Sequence, residues 1–83
     1  MNYRYSNHAL KELQKRKIPK GMVDKVMRKP GRKVPEYGNL HCYQSKIAVA
    51  GKTYILRVMV NENVTPWLIV TVYKTGKIEK YWR

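Results

Sequence analysis

The chain has 83 residues, enough for one domain spanning 1–83 and near the lower limit at which a single core suffices without staples. Eighteen Lys and Arg stand against five Asp and Glu, a formal net charge of +13, so the leading expectation is a polyanionic partner. One cysteine, Cys42, excludes an internal disulfide; there is no CxxC or Cys/His cluster to suggest zinc and no apolar run longer than a strand, so a cytoplasmic protein without metal, cofactor, signal peptide or membrane helix is expected.

Taken in chain order, Asn2 to Tyr5 read as extended, and Ser6 or Asn7 suits a helix N-cap. Leu10, Leu13 and Ala9 give a short apolar stripe among Lys11, Glu12, Gln14, Lys15 and Arg16, which predicts a helix over roughly 7–17. Ile18 should pack beneath its end. Pro19 suits the first turn of a second helix carrying Met22, Val23, Val26 and Met27, stopped by Pro30-Gly31. Ten of the eighteen cations lie between Lys11 and Lys33, with only Glu12 and Asp24 among them, so the positive field is concentrated there.

Arg32 to Asn39 reads as a loop with a brief extended piece at Val34. Leu40 to Val49 is the first expected strand, and Ala50-Gly51-Lys52 turns into a central hairpin. Its strands are Tyr54 to Val60 and Trp67 to Tyr73, both rich in β-branched and aromatic types and separated by the turn formers Asn61 to Pro66. Thr75-Gly76 is a further turn, and Lys77 to Trp82 alternate as a last strand. The expectation is an α+β fold: two N-terminal helices packed on one face of a four-stranded antiparallel meander.

Side chains alternate across a strand, so Leu56, Val58 and Val60, with Leu68, Val70 and Val72, should form the floor beneath the helices. The reverse face, with Ile55, Arg57, Met59, Trp67, Ile69, Thr71 and Tyr73, should then be open. An unpaired Arg57 on that face would be costly if buried, and a phosphate would satisfy it. Lys46 and Lys74 are placed to add charge, and Tyr73 to stack a base or give up a proton.

His8 is a candidate proton carrier, since histidine exchanges protons near neutrality. Arg16, His41 and Cys42 have ordinary roles open to them as well: a solvated helix face, a strand position and a small core residue. Trp67, Tyr81 and Trp82 offer stacking surfaces for unpaired bases. The five acids, Glu12, Asp24, Glu36, Glu62 and Glu79, are scattered singly, which argues against a two-metal nuclease or a carboxylate dyad, and no Gly-x-Ser-x-Gly turn supports a serine triad.

Over nearly its whole length the chain resembles small bacterial domains of unknown function with a helix that begins Ser-x-His-Ala, here Ser6-Asn7-His8-Ala9. Lys11 stands where the family usually has Arg, and Arg16-Lys17-Ile18 where it has Arg-Gly-Ile. Its Val-Val-Thr-Val-Tyr-like strand is matched by Ile69-Val70-Thr71-Val72-Tyr73-Lys74. These domains are grouped with RelE/ParE-like and BrnT-like toxins, small basic proteins of ααββββ order. The resemblance implies a metal-independent endoribonuclease acting by 2′-hydroxyl attack, with RNA as substrate, including mRNA on the ribosome, and an acidic antitoxin as partner. His8, Arg57 and Tyr73 would be catalytic, and Lys11, Arg16, Lys46, Thr71 and Lys74 would bind the nucleic acid. A non-catalytic RNA- or DNA-binding module and a domain that binds an acidic protein are the alternatives.

Overall fold

The computed structural model describes residues 2–82. In order it contains β1 (Tyr3–Tyr5), α1 (Asn7–Lys15), α2 (Lys20–Arg28), β2 (Arg32–Pro35), a single 3-10 turn (Tyr37–Asn39), β3 (Leu40–Val49), β4 (Lys52–Asn61), β5 (Trp67–Thr75) and α3 (Ile78–Tyr81). The architecture is α+β with a five-stranded sheet in the order β1-β5-β4-β3-β2.

Ser6 caps α1: its Oγ accepts from the Ala9 N–H at 3.0 Å and donates to the Val70 carbonyl at 2.8 Å, so the same side chain starts the helix and ties it to β5. The helix ends at Lys15, two residues before the expected limit. Lys17 takes a left-handed φ of 54°. The Lys17 and Ile18 amides donate back to the Gln14 and Leu13 carbonyls at 3.2 and 2.9 Å, a Schellman closure that turns the chain and drops Ile18 into the core. In α2, Pro19 stands just outside the helix, and Val23, Val26 and Met27 form its buried stripe.

Ala9, Leu13, Ile18, Val23, Val26 and Met27 pack on Leu56, Val58, Val60, Ile69, Val72 and Tyr43. Each such aliphatic side chain contributes roughly 1.5–3 kcal/mol when removed from water. The two helices thus cover one face of the sheet, as the periodicity predicts.

Four expectations are corrected. Tyr3–Tyr5 is a fifth strand, parallel to β5 through Tyr3 opposite Trp67 and Tyr5 opposite Ile69, so the sheet is not purely an antiparallel meander. Arg32–Pro35 is a strand on the other edge, with Val34 opposite Cys42. Lys77 to Trp82 form a turn and α3 instead of a strand, since Tyr81 and Trp82 have places to pack on the sheet face that outweigh the alternating pattern.

The fourth concerns the core floor. Val58 faces Val72 and Met59 faces Thr71, but Val60 faces Ile69, because a bulge shifts the register between Met59 and Val60. Ile69 therefore replaces Leu68 and Val70 on the helix side, and the displaced Val70 carbonyl finds the Ser6 hydroxyl. Period-two reading is valid only between bulges.

Candidate functional site

The reverse face of the sheet does carry Arg57, Thr71, Tyr73 and Lys46. Gln44 stands opposite Arg57, Tyr73 flanks it on the other side, Thr71 pairs with Met59, and Lys46 pairs with Ile55. The face is not open. Arg57 is 4% exposed and Gln44 is fully buried.

Each of the three Arg57 guanidinium nitrogens donates to one of the protein's own groups. Nε donates to Gln44 Oε1 at 2.9 Å, Nη1 to the Tyr73 hydroxyl at 2.5 Å, and Nη2 to Glu36 Oε1 at 2.7 Å. The Tyr81 ring lies over the guanidinium at 4.5 Å, and Gln44 Nε2 donates to the Tyr81 carbonyl at 3.0 Å. Trp82 completes the cover, with Lys46 Nζ and the Arg32 guanidinium 4.9 and 5.0 Å from its ring. Gly31 makes room for this: a Cβ there would stand 2.7 Å from the Trp82 ring. The free, phosphate-seeking arginine expected from the alternation is thus a buried ion pair, because Glu36 and the C-terminal segment fold over it. Burial pushes the Tyr73 phenol above its ordinary pKa, although Arg57 pulls the other way, so it keeps its proton at neutral pH.

The remaining predicted residues lie elsewhere. His8, Lys11 and Arg16 are on α1 or its end, across the sheet from Arg57, and His8 is exposed. It cannot share a centre with Arg57 and Tyr73. Lys74 pairs with Leu56, which puts it on the helix side, with Nζ 5.2 Å from the Tyr54 ring. Arg16 Nε is held by Glu12 Oε1 at 2.9 Å. Lys11, Lys17 and Lys20 stand around a shallow hollow floored by Leu10, Leu13, Ile18 and Pro19.

A second polar group, outside the expected site, lies on the helix side at the β2–β3 edge. Glu62 gathers three partners. Oε2 accepts from the Tyr43 hydroxyl and takes Lys33 Nζ at 2.9 Å, while Oε1 lies 3.2 Å from His41 Nδ1, without the alignment of a full hydrogen bond. Lys33 Nζ is also 5.1 Å from the Tyr43 ring and 5.9 Å from that of Trp67.

Burial works to raise the Glu62 carboxyl, but hydrogen bonds from Tyr43 and Lys33 outweigh it and hold the pKa below the ordinary value. The bond to Glu62 raises Lys33 in turn, and burial raises Tyr43. A signal for this cluster exists in the sequence. Counting back through the Ala50-Gly51 turn places His41 opposite Val60 and Tyr43 opposite Val58, on the face Glu62 shares. Among the described residues no three His, Cys, Asp or Glu side chains converge as metal ligands, and no helix is long and apolar enough to cross a membrane.

A family model described as a domain of unknown function, DUF4258, matches residues 5–74. No curated protein and no solved structure matches the chain. The match spans most of the sequence, and the chain belongs to the DUF4258 family.

Proposed function

We propose that this DUF4258 domain binds RNA through its helical layer, as a small basic protein of the RelE/ParE-like and BrnT-like toxin kind that its Ser6-Asn7-His8-Ala9 and Ile69 to Lys74 segments resemble. The observation that carries this reading is the use made of the acids. Glu12 engages Arg16, Glu36 engages Arg57, Glu62 engages Lys33, and Asp24 accepts from the Tyr3 hydroxyl. Four of the five acids are thereby spent locally against a net charge of +13. Lys11, Lys17, Lys25 and Lys29 are exposed and form no salt bridge among the described residues. Phosphate is the ligand for such a surface, and each contact releases counterions.

The Arg57 and Tyr73 centre is assigned a structural role in this reading. Its charge is neutralised by Glu36 and its face is covered by Tyr81, so phosphate binding there would require both to give way. The acidic antitoxin implied by the toxin resemblance would compete for the same lysines as RNA.

The test is binding of a labelled single-stranded RNA, followed by fluorescence anisotropy across a salt series. Replacing Lys11, Lys17 and Lys20 together by Gln should weaken binding at least tenfold and lower the salt slope by about 2, from roughly 0.7 per phosphate contact. A wild-type protein that retains no RNA at low salt would overturn the reading in favour of an acidic-protein interaction domain.

A further inference from the structure

We propose that the hollow between α1 and the start of α2 receives an unpaired base, so that the RNA taken by the helical layer is single-stranded. The inference rests on RNA being the ligand, and it names the form of RNA that this surface selects.

Three observations carry it. First, Leu10 is 38% exposed and, with Tyr37, is one of the two large apolar side chains left exposed among the described residues. Its neighbour Ala9 is buried against the sheet, so Leu10 stands outside the core. Leu10, Leu13 and Gln14 are spaced i, i+3 and i+4 and therefore lie along one side of the helix.

Second, the hollow is formed in advance by the backbone. The Lys17 amide donates to the Gln14 carbonyl at 3.2 Å and the Ile18 amide to the Leu13 carbonyl at 2.9 Å, which fixes the turn that sets Ile18 and Pro19 beside Leu10 and Leu13. Leu13 and Ile18 are buried and make the floor, whereas the exposed Leu10 and Pro19 make the walls. The volume is about 670 Å³, within the range of small-molecule sites.

Third, the rim is cationic. Lys11, Lys17 and Lys20 line the hollow and no acid does. Glu12 is held by Arg16 at 2.9 Å, and none of the three lysines forms a salt bridge among the described residues. Exposed cations continue along α2 with Lys25, Arg28 and Lys29, as a chain of repeated phosphates requires.

These features separate one form of RNA from the other. Lysines alone would hold the phosphates of a duplex or of a single strand, since backbone contacts do not distinguish bases. Apolar walls need a ring face that is not already stacked. In a duplex each base is covered by its neighbours, and extruding one is costly. In an unpaired strand a base lies between Leu10 and Pro19, the flanking phosphates reach the lysines, and the Gln14 amide offers both a donor and an acceptor to the base edge. An aliphatic side chain flanked by carboxylates would meet the same walls and rim, so the test includes one.

The experiment follows anisotropy of a short labelled RNA as a single strand, as a duplex with its complement, and as a strand with abasic sites in place of its bases, across a salt series. Wild type should bind the single strand about tenfold or more tightly than either of the others. Leu10→Ala should weaken single-strand binding about fivefold and leave duplex binding and the salt slope unchanged. Tyr37→Ala, which removes the other exposed apolar side chain, should alter neither. Thermal melting by circular dichroism checks the fold of each variant, and the abasic strand tests the same contact on the unaltered protein. Equal affinity for the three nucleic acids, or a loss on Leu10→Ala that falls equally on single strand and duplex, would overturn this inference and leave the phosphate-binding reading standing. Leu10-dependent binding of a peptide of Glu and Leu, with RNA binding independent of Leu10, would overturn it and give the hollow to an acidic protein. No RNA bound at low salt would overturn both.

Discussion

Arg57 Nη2 donates to Glu36 Oε1 at 2.7 Å across the face of the sheet that alternation alone would leave bare. The Arg57 side chain is 5% exposed and that of Glu36 is 25% exposed, so the pair is dry on one side and wet on the other. Removing one partner of a buried pair leaves an uncompensated charge, which typically costs 3–5 kcal/mol. The water that reaches Glu36 should bring the cost of Glu36→Ala to about 2 kcal/mol, whereas Arg57→Ala, which also strands Gln44 and Tyr73, should cost about 3 kcal/mol or more. Urea denaturation of both single variants and the double variant checks this. The double should cost less than the sum of the singles, and additivity would mean that the pair is not coupled.

Lys17 offers a stabilising change. Its φ of 54° closes α1, and its amide donates to the Gln14 carbonyl at 3.2 Å. A side chain at this C′ position is strained in a way glycine is not. Lys17→Gly should therefore raise stability by about 0.5–1 kcal/mol, seen as an increase in Tm with unchanged circular dichroism at room temperature. An unchanged or lower Tm would mean that the lysine side chain stabilises this turn through packing that outweighs the backbone strain.

The fold is legible in the sequence where one local rule acts alone. Ser6, one of the two cap residues that spacing allows beside Asn7, caps the first helix, Ile18 packs beneath its end, and of the expected stripe Met22, Val23, Val26 and Met27 the last three are buried, all as spacing and capping chemistry require. Where a distant element intervenes, the local pattern no longer decides. Nothing local distinguishes Ile69 from Leu68 and Val70 as the core residue, because the bulge that selects it is set by pairing with Val60 and by the Ser6 hydroxyl.

Nor does the alternation of Lys77 to Trp82 reveal a helix, since the competing interactions are the stacking of Tyr81 on Arg57 and of Trp82 between Lys46 and Arg32. The candidate site divided in the same way. Arg57, Tyr73, Thr71 and Lys46 share one face as alternation requires, whereas Lys74, expected in the same groove, is on the other, and Glu36, thirteen residues before Val49 ends β3, carries no pattern that marks it as the group that closes over them.

The last prediction concerns acid. Glu62 has a folded-state pKa below its ordinary value of 4.5, because hydrogen bonds from Tyr43 and Lys33 favour the carboxylate more than burial disfavours it. The sign follows from proton counts. Between the lowered folded pKa and the unfolded one, the unfolded chain binds the extra proton, so stability falls as pH falls through that window and the contribution is fully present above about pH 4.5. Glu62→Gln cannot titrate, and it leaves Lys33 without its ion pair. The variant should be less stable than wild type at pH 7, and the gap should narrow as pH falls from 5 toward 3, because wild type loses its own Glu62 contribution there. Urea midpoints at pH 7, 5, 4 and 3 for both proteins measure it. A gap that stays constant across that range would mean that the carboxylate is no better held in the folded state than in the unfolded one, and that the Tyr43 and Lys33 contacts do not favour its charge.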